Sequence, residues 1–229
     1  MKAGNLERIS GKPQIGYSPK VVKAVLFDVA GVLTESYGHI ILEAAVELDA
    51  DIELLADVLI PIFLGDEDTD QVGHRLERGE VTLEDFLQSL GPVENDARSL
   101  LHPDSPHFFG HSFNPNQEMM EFAKGLSAGS VATGIVSNSV KEWMPAWETA
   151  IPDRSIFDTV ILSSEVGLRK PSEAMYALAL EQLGISPHEA VFLDDFEPMV
   201  EGAKKAGLHA IHVADHGTAI QEVRELLKS

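Results

Sequence analysis

The segment Ala24-Val25-Leu26-Phe27-Asp28-Val29-Ala30-Gly31-Val32-Leu33-Thr34 decides the fold. The apolar run Val21–Phe27 is too short for a core helix and suits a strand buried on both faces. A carboxylate at the tip of such a strand is costly unless bonds or charge compensate it. Asp28 therefore marks a candidate site, and Gly31 lets the chain turn sharply behind it. Working outward, four more runs of this kind appear: Val131–Val136, Phe157–Leu162, Ala190–Leu193 and His209–Val213. Helical patterns follow them at Asn116–Leu126, Val140–Ala150, Ser172–Leu183, Met199–Ala206 and Thr218–Leu227. Gly184 and Gly207 stand where helices should stop. Strand alternating with helix predicts an α/β core, a Rossmann-like doubly wound parallel sheet.

The interval between the first and second strands breaks the rhythm. It runs to about a hundred residues, far more than one crossover needs. Periodic apolar stretches at Ile40–Leu48, Ile52–Leu64, Val72–Leu76 and Leu83–Leu90 predict an inserted all-helical cap. Thr82 with Asp85, ahead of Phe86 and Leu87, has the form of a helix start. His102–Pro115, rich in Pro and His, reads as the return linker. The expected organisation is a polar tail over 1–20, a core of 21–35 and 111–229, and a cap over 36–110. A module inserted after a core strand would lie over the ligand crevice.

Composition narrows the function. The formal net charge is −20, and there is no cysteine. A nucleic-acid surface would carry the opposite sign. Thiolate metal sites, disulfides and a cysteine nucleophile are excluded. From Glu35 to Gly110 there are eighteen acidic residues, three arginines and no lysine, a net of 3 − 18 = −15. A solvated acidic helical surface accounts for this. No apolar run reaches the roughly eighteen residues of a membrane span, and Met1 to Lys20 lacks the apolar core of a secretory signal. These features point to a cytoplasmic protein without membrane or nucleic-acid partners.

Four features close core strands or open the helices after them: Asp28, Ser137-Asn138, Lys170 in Gly167-Leu168-Arg169-Lys170-Pro171-Ser172, and Asp194-Asp195. Each alone is an ordinary turn or helix cap. Pro171 should hold Lys170 extended and start the next helix. Brought to one crevice, they place three carboxylates against a lysine, a hydroxyl and an amide. Such acids repel unless a cation sits among them, and an all-oxygen set favours a hard ion such as Mg²⁺. Lys170 and the Ser137 hydroxyl could hold a phosphate beside it, with Asp28 placed as nucleophile.

The stretches FDVAGVLTE, GIVSNS, GLRKPS and FLDDFEPMVEGAKKAG resemble the four motifs of haloacid dehalogenase-like (HAD-like) hydrolases, from about Lys23 to the C-terminus. The cap sequence His74-Arg75-Leu76-Glu77-Arg78-Gly79-Glu80 is similar to one branch. That branch holds the phosphatase domain of soluble epoxide hydrolases and the hydrolase-like domain of some acyl-CoA dehydrogenases. The resemblance implies a phosphatase acting on a small phosphorylated molecule. It makes Asp28 the nucleophile that forms an aspartyl-phosphate, Ser137 the phosphate ligand with Asn138 shaping the turn, and Lys170 the charge balance. Asp28, Asp194, Asp195 and the Ala30 carbonyl would hold magnesium.

Position 30 departs from the pattern. Most phosphatases of the family carry there an Asp that protonates the leaving group and then activates water, and Ala30 can do neither. A general acid–base is typically worth ~10²–10⁴-fold in rate. A weak or specialised phosphatase, a binding or regulatory protein retaining the fold, and a residue substituted at position 30 all fit. Phosphonoacetaldehyde hydrolases share this Ala but need a cap lysine, and none lies between Lys23 and Lys124. Metal-free haloacid dehalogenases lack the paired acids Asp194-Asp195. Glu35 and His39 are the nearby groups that could supply a proton, although Tyr37 and His39 are more simply cap-hinge packing. The nine histidines show no zinc spacing. Trp143 and Trp147 read as packing residues.

Overall fold

The computed structural model describes residues 21–63 and 67–228. The expected 1–20 tail lies outside them. Five parallel strands form one sheet in the order β3-β2-β1-β4-β5: β1 Ala24–Phe27, β2 Ala132–Ser137, β3 Thr159–Leu162, β4 Ala190–Asp194 and β5 His209–His212. The chain runs outward from β1 through β2 to β3, then returns across β1 to lay down β4 and β5. Strand order therefore reverses beside β1, where ligands bind in sheets of this type.

Alternation along β1 divides the interior into two layers. Val25 and Phe27 point to one face with Ile135, Val191 and Leu193, and pack with α6 (Gln117–Ser127) and α11 (His216–Leu226). Ala24 and Leu26 point to the other with Val136, Ile161 and Phe192, against α9 (Glu173–Leu183) and α10 (Glu197–Lys205). This is the period-two pleat of a strand buried on both sides.

Between β1 and α6 lie five α-helices among the described residues: α1 Tyr37–Glu47, α2 Ile52–Phe63, α3 Val72–Glu77, α4 Leu83–Ser89 and α5 Glu94–Leu101. The Thr82 hydroxyl accepts from the Asp85 amide and Asp85 answers the Thr82 amide, so the expected start of α4 is a full capping box. The α5 helix was not expected. Its Gly91-Pro92 entry and polar Glu94–Ser99 stretch hide a short apolar stripe of Ala97, Leu100 and Leu101, all buried. The return segment is also more than a linker, because Phe108, Phe109 and Phe113 are buried in it. The chain leaves and re-enters the core side by side, where Thr34 pairs with Pro115 and the Asn116 amide donates to the Leu33 carbonyl at 2.8 Å. No helix among the described residues is long and apolar enough to cross a membrane.

Three local expectations change. The Val140–Ala150 pattern is a short 3-10 turn, Lys141–Trp143, followed by α7, Met144–Ala150, with Pro145 in the first turn of the helix. A four-residue helix, α8 Ser163–Val166, follows β3. Helix α9 starts at Glu173 rather than Pro171, with Ser172 as its N-cap.

Helix α10 packs hard against the Lys170-Pro171 turn. A Cβ on Gly202 would lie 2.6 Å from the Pro171 Cβ and 2.7 Å from its carbonyl oxygen. Gly202→Ala should therefore push the turn and helix apart, at a cost of about 1–3 kcal/mol. A lower denaturant midpoint with unchanged slope would show it; an unchanged midpoint would mean that the contact relaxes freely.

Candidate active site

The register of the sheet assembles the site. Phe27 is level with Leu193, and the Asp28 amide donates to the Leu193 carbonyl at 2.9 Å, so Asp28 and Asp194 emerge side by side. Gly31, at φ +78°, folds the next turn back over them. A Cβ there would fall 1.9 Å from an Asp195 oxygen, so only glycine fits. Oxygens of Asp28, Asp194 and Asp195 lie within 4.8 Å of one another.

Lys170 enters from the β3–α9 connection and is buried. Its Nζ lies 2.8 Å from Asp28 Oδ1 and 2.6 Å from Asp194 Oδ2, and 5.2 Å from the centre of the Phe192 ring. Asn138 fixes its backbone from both sides. The Lys170 amide donates to Asn138 Oδ1 at 2.8 Å, and Asn138 Nδ2 donates to the Lys170 carbonyl at 3.3 Å. Ser137, also predicted for the site, is buried at the end of β2 with its hydroxyl donating to the Asn138 carbonyl at 3.1 Å. Ala30 and Asn138 line the cavity described below, whereas Ser137 does not.

Three acids against one ammonium leave the cluster short of positive charge. Burial pushes Asp194 up to about 7; Lys170 opposes the shift and Asp28 adds to it. Burial and the neighbouring Asp28 carry Asp195 to about 6. Burial alone would lower the Lys170 pKa, but Asp194 and Asp28 together raise it, so it stays charged. The donor set is all oxygen, acidic and converging, which fits a hard divalent cation.

Above the acids opens a cavity of about 500 Å³. Its floor holds Asp28, Asn138, Lys170, Asp194 and Asp195. Its walls are apolar, from Ile41 on α1, Leu55, Leu59 and Phe63 on α2, Leu101 on α5, and Trp143. Leu42 and Ile60 also line it while remaining 47% and 53% exposed, so its rim is apolar too. Tyr37 lines the cavity and packs among Phe109, Phe113 and Trp143, so it belongs to both the crevice and the hinge. Burial, with Asp28 and Glu77 nearby, raises its phenol pKa far above the ordinary value. His39 is instead exposed, with Nε2 3.3 Å from Glu43 Oε1.

Sequence reasoning passed over two residues of this site. Arg169 is fully buried and donates from Nε to Glu77 Oε2 at 2.7 Å. Its other nitrogens reach the carbonyls of Glu67 at 3.3 Å and Phe63 at 3.4 Å, so it ties the end of α2 to the core. The one available signal was the charged run Arg75-Leu76-Glu77-Arg78, which has a buried acid at its centre.

Known proteins share this architecture. A HAD family enzyme of Bacteroides thetaiotaomicron, solved with magnesium and inorganic phosphate, superposes with a TM-score of 0.60 at 18% identity over 83% of this chain and 93% of its own. Acyl-CoA dehydrogenase family member 10 of Mus musculus is 28% identical over 90% of this chain, which spans only 19% of that protein. The chain spans about a fifth to a third of the first curated relatives it matches. Sesquiterpene phosphatase astK of Aspergillus oryzae is 24% identical over 90% of this chain and 96% of its own. The family model for haloacid dehalogenase-like hydrolases matches residues 22–207, and with the strand order, the acid cluster and the buried lysine now in place, the chain belongs to that hydrolase family.

Proposed function

We propose that this hydrolase is a magnesium-dependent phosphatase acting on a small phosphate monoester with an apolar alcohol part. The observation that carries the proposal is the pairing of Asp28 and Lys170 at the floor of an apolar cavity. Asp28 is the nucleophile: an Oδ attacks phosphorus, the alcohol leaves, and water then cleaves the aspartyl-phosphate. Lys170 offsets the repulsion between Asp28 and the incoming anion. Ser137 and Asn138 bind the phosphoryl oxygens, Ser137 after its hydroxyl turns from the Asn138 carbonyl. Asp28, Asp194, Asp195 and the Ala30 carbonyl would hold Mg²⁺, which when bound supplies charge neutralisation at the transferring phosphoryl group. Residues 36–110 act as the cap on a core of 21–35 and 111–229, a division supported by the pairing of Thr34 with Pro115. The cysteine-free, acidic composition supports a cytoplasmic setting.

A second proposal rests on Ala30. If no other group transfers protons, the chain binds phosphorylated ligands without turning them over. Turnover of p-nitrophenyl phosphate separates the two, because its leaving group needs little protonation.

Asp28→Asn should reduce that turnover to background while leaving the melting temperature no lower than that of the parent. Activity retained in the variant would remove Asp28 from the mechanism.

Metal binding makes a second expectation. Asp194 and Asp195 hold pKa values above their unfolded values, so the stability they contribute is present at low pH. Without metal, the melting temperature should fall as pH rises from about 4 to 7. Magnesium should reverse that fall. Asp195→Ala should lose most of the magnesium effect; an equal Mg²⁺ shift in both proteins would place the ion elsewhere.

The cavity predicts a chain-length series. Each buried methylene is worth ~0.8 kcal/mol, so kcat/KM for phosphate esters of primary alcohols should climb about fourfold per carbon until the cavity is full. A flat series, or preference for a sugar phosphate, would contradict an apolar leaving group.

A further inference from the structure

A phosphatase with alanine at position 30 still has to protonate a departing alcohol and deprotonate a water. The neighbouring groups can be weighed by where they face. Glu35 and His39, the latter beside Glu43, are exposed, and neither lines the cavity. Tyr37 does line it, but burial and the nearby acids Asp28 and Glu77 raise its phenol pKa far above the ordinary value, which makes it a poor base for water.

Glu77 is different. It ends α3 on the cap, is only 9% exposed, and lines the cavity together with Asp28 and Lys170. Both hydrogen bonds to its carboxylate fall on one oxygen: Oε2 accepts from Arg169 Nε at 2.7 Å and from Asn138 Nδ2 at 3.5 Å. Among the described residues, no hydrogen bond reaches Oε1. The Glu77 backbone is held in place as well, because its carbonyl accepts from the buried Ser163 hydroxyl at 2.6 Å. Asn138, which touches Glu77, also grips both backbone polar groups of Lys170, whose Nζ meets Asp28. One chain of contacts thus fixes Glu77 relative to the nucleophile.

We infer that Glu77 is the proton-transfer residue of this site, taking the part that Ala30 cannot. The inference rests on the phosphatase proposal above. In the first step an Asp28 oxygen bonds to phosphorus and the bond from phosphorus to the alcohol oxygen breaks. The Glu77 Oε1 proton passes to that oxygen. In the second step a water oxygen bonds to phosphorus and the Asp28–phosphorus bond breaks. The water proton passes to Glu77, phosphate leaves, and both groups are restored. The surroundings suit a carboxyl that cycles between two states. Burial raises its pKa, Arg169 and Lys170 oppose the shift, and Asp28 adds to it. Tyr37 is the remaining titratable neighbour that senses it.

Glu77→Gln keeps an oxygen for Arg169 and removes the proton. The test compares octyl phosphate with p-nitrophenyl phosphate, both with Mg²⁺. With p-nitrophenyl phosphate the variant should release close to one equivalent of nitrophenolate in a burst and then slow, as the aspartyl-phosphate waits for a base. With octyl phosphate it should show no burst, and kcat should fall by ~10²–10⁴-fold with little change in KM. Ala30→Asp added to Glu77→Gln should restore steady turnover of both. In the parent background Ala30→Asp should gain less than about threefold, a measurement that does not depend on how the Glu77 variant folds. Equal losses on both substrates without a burst would leave Glu77 a partner of Arg169 and overturn the inference. So would a gain of 10² or more from Ala30→Asp in the parent. If the parent turns over neither ester, the phosphatase proposal itself is wrong and the role of Glu77 falls with it. Turnover with a leaving-group-independent Glu77→Gln defect removes only the role of Glu77.

Discussion

Lys170 is buried between two carboxylates, with a third close by, and this crowding sets the terms for everything around it. At an effective dielectric near 20, two carboxylates at the spacing seen here repel by roughly 3–4 kcal/mol. Three such repulsions are nearly matched by the two close ion pairs of Lys170. The cost of taking the acids out of water is left over, and it shows as the raised pKa values of Asp194 and Asp195. In the proposed function, a cluster in that condition takes a cation and, through Lys170, an anion beside it. The scaffold serves to hold it: parallel register sets Asp28 against Asp194, Gly31 clears room for Asp195, and Asn138 clamps the lysine backbone.

The core was legible because its signals are local. Runs of Val, Leu, Ile and Phe buried on both faces leave a mark that survives without knowledge of the partner strands. Asp28, Lys170 and Asp194-Asp195 were legible because each breaks an apolar strand or opens a helix at its end. Some strand limits moved inward, as with Val21–Phe27 becoming Ala24–Phe27, because ladder pairing stops before the apolar run does, whereas β2 and β4 run one residue further, to Ser137 and Asp194. Helix α5 escaped notice because its apolar face is only three residues wide in a polar sequence.

The cap was legible as helices and not as a cavity wall. A leucine facing a void and a leucine facing another leucine keep the same 3.6-residue rhythm, so Leu59 and Leu87 look alike in sequence. Both are buried in the core cluster, but the first lines the cavity and the second does not. The Glu77–Arg169 pair was hard to read for another reason: its members are 92 residues apart, and Glu77 stands in a charged run whose Arg75 and Glu80 are exposed. Burying such a pair costs several kcal/mol per ion before its attraction is counted. Arg169 recovers part of that cost from the carbonyls at the end of α2, so the pair joins the apolar wall to the loop that carries Lys170.

That junction bears on why position 30 can be an alanine. An aspartate there would bring a fourth carboxylate to a cluster whose charges already barely balance, and it would sit on the core whether or not the cap was in place. The Glu77 carboxylate stands on the cap with its own counter-charge in Arg169, so it adds little to the repulsion around Asp28. It can also meet a leaving oxygen only when α3 is seated against the core. In the proposed reaction, proton transfer then depends on the same contacts that hold the α2 wall over the substrate. An apolar tail filling the cavity and a proton reaching its oxygen become two consequences of one closed arrangement.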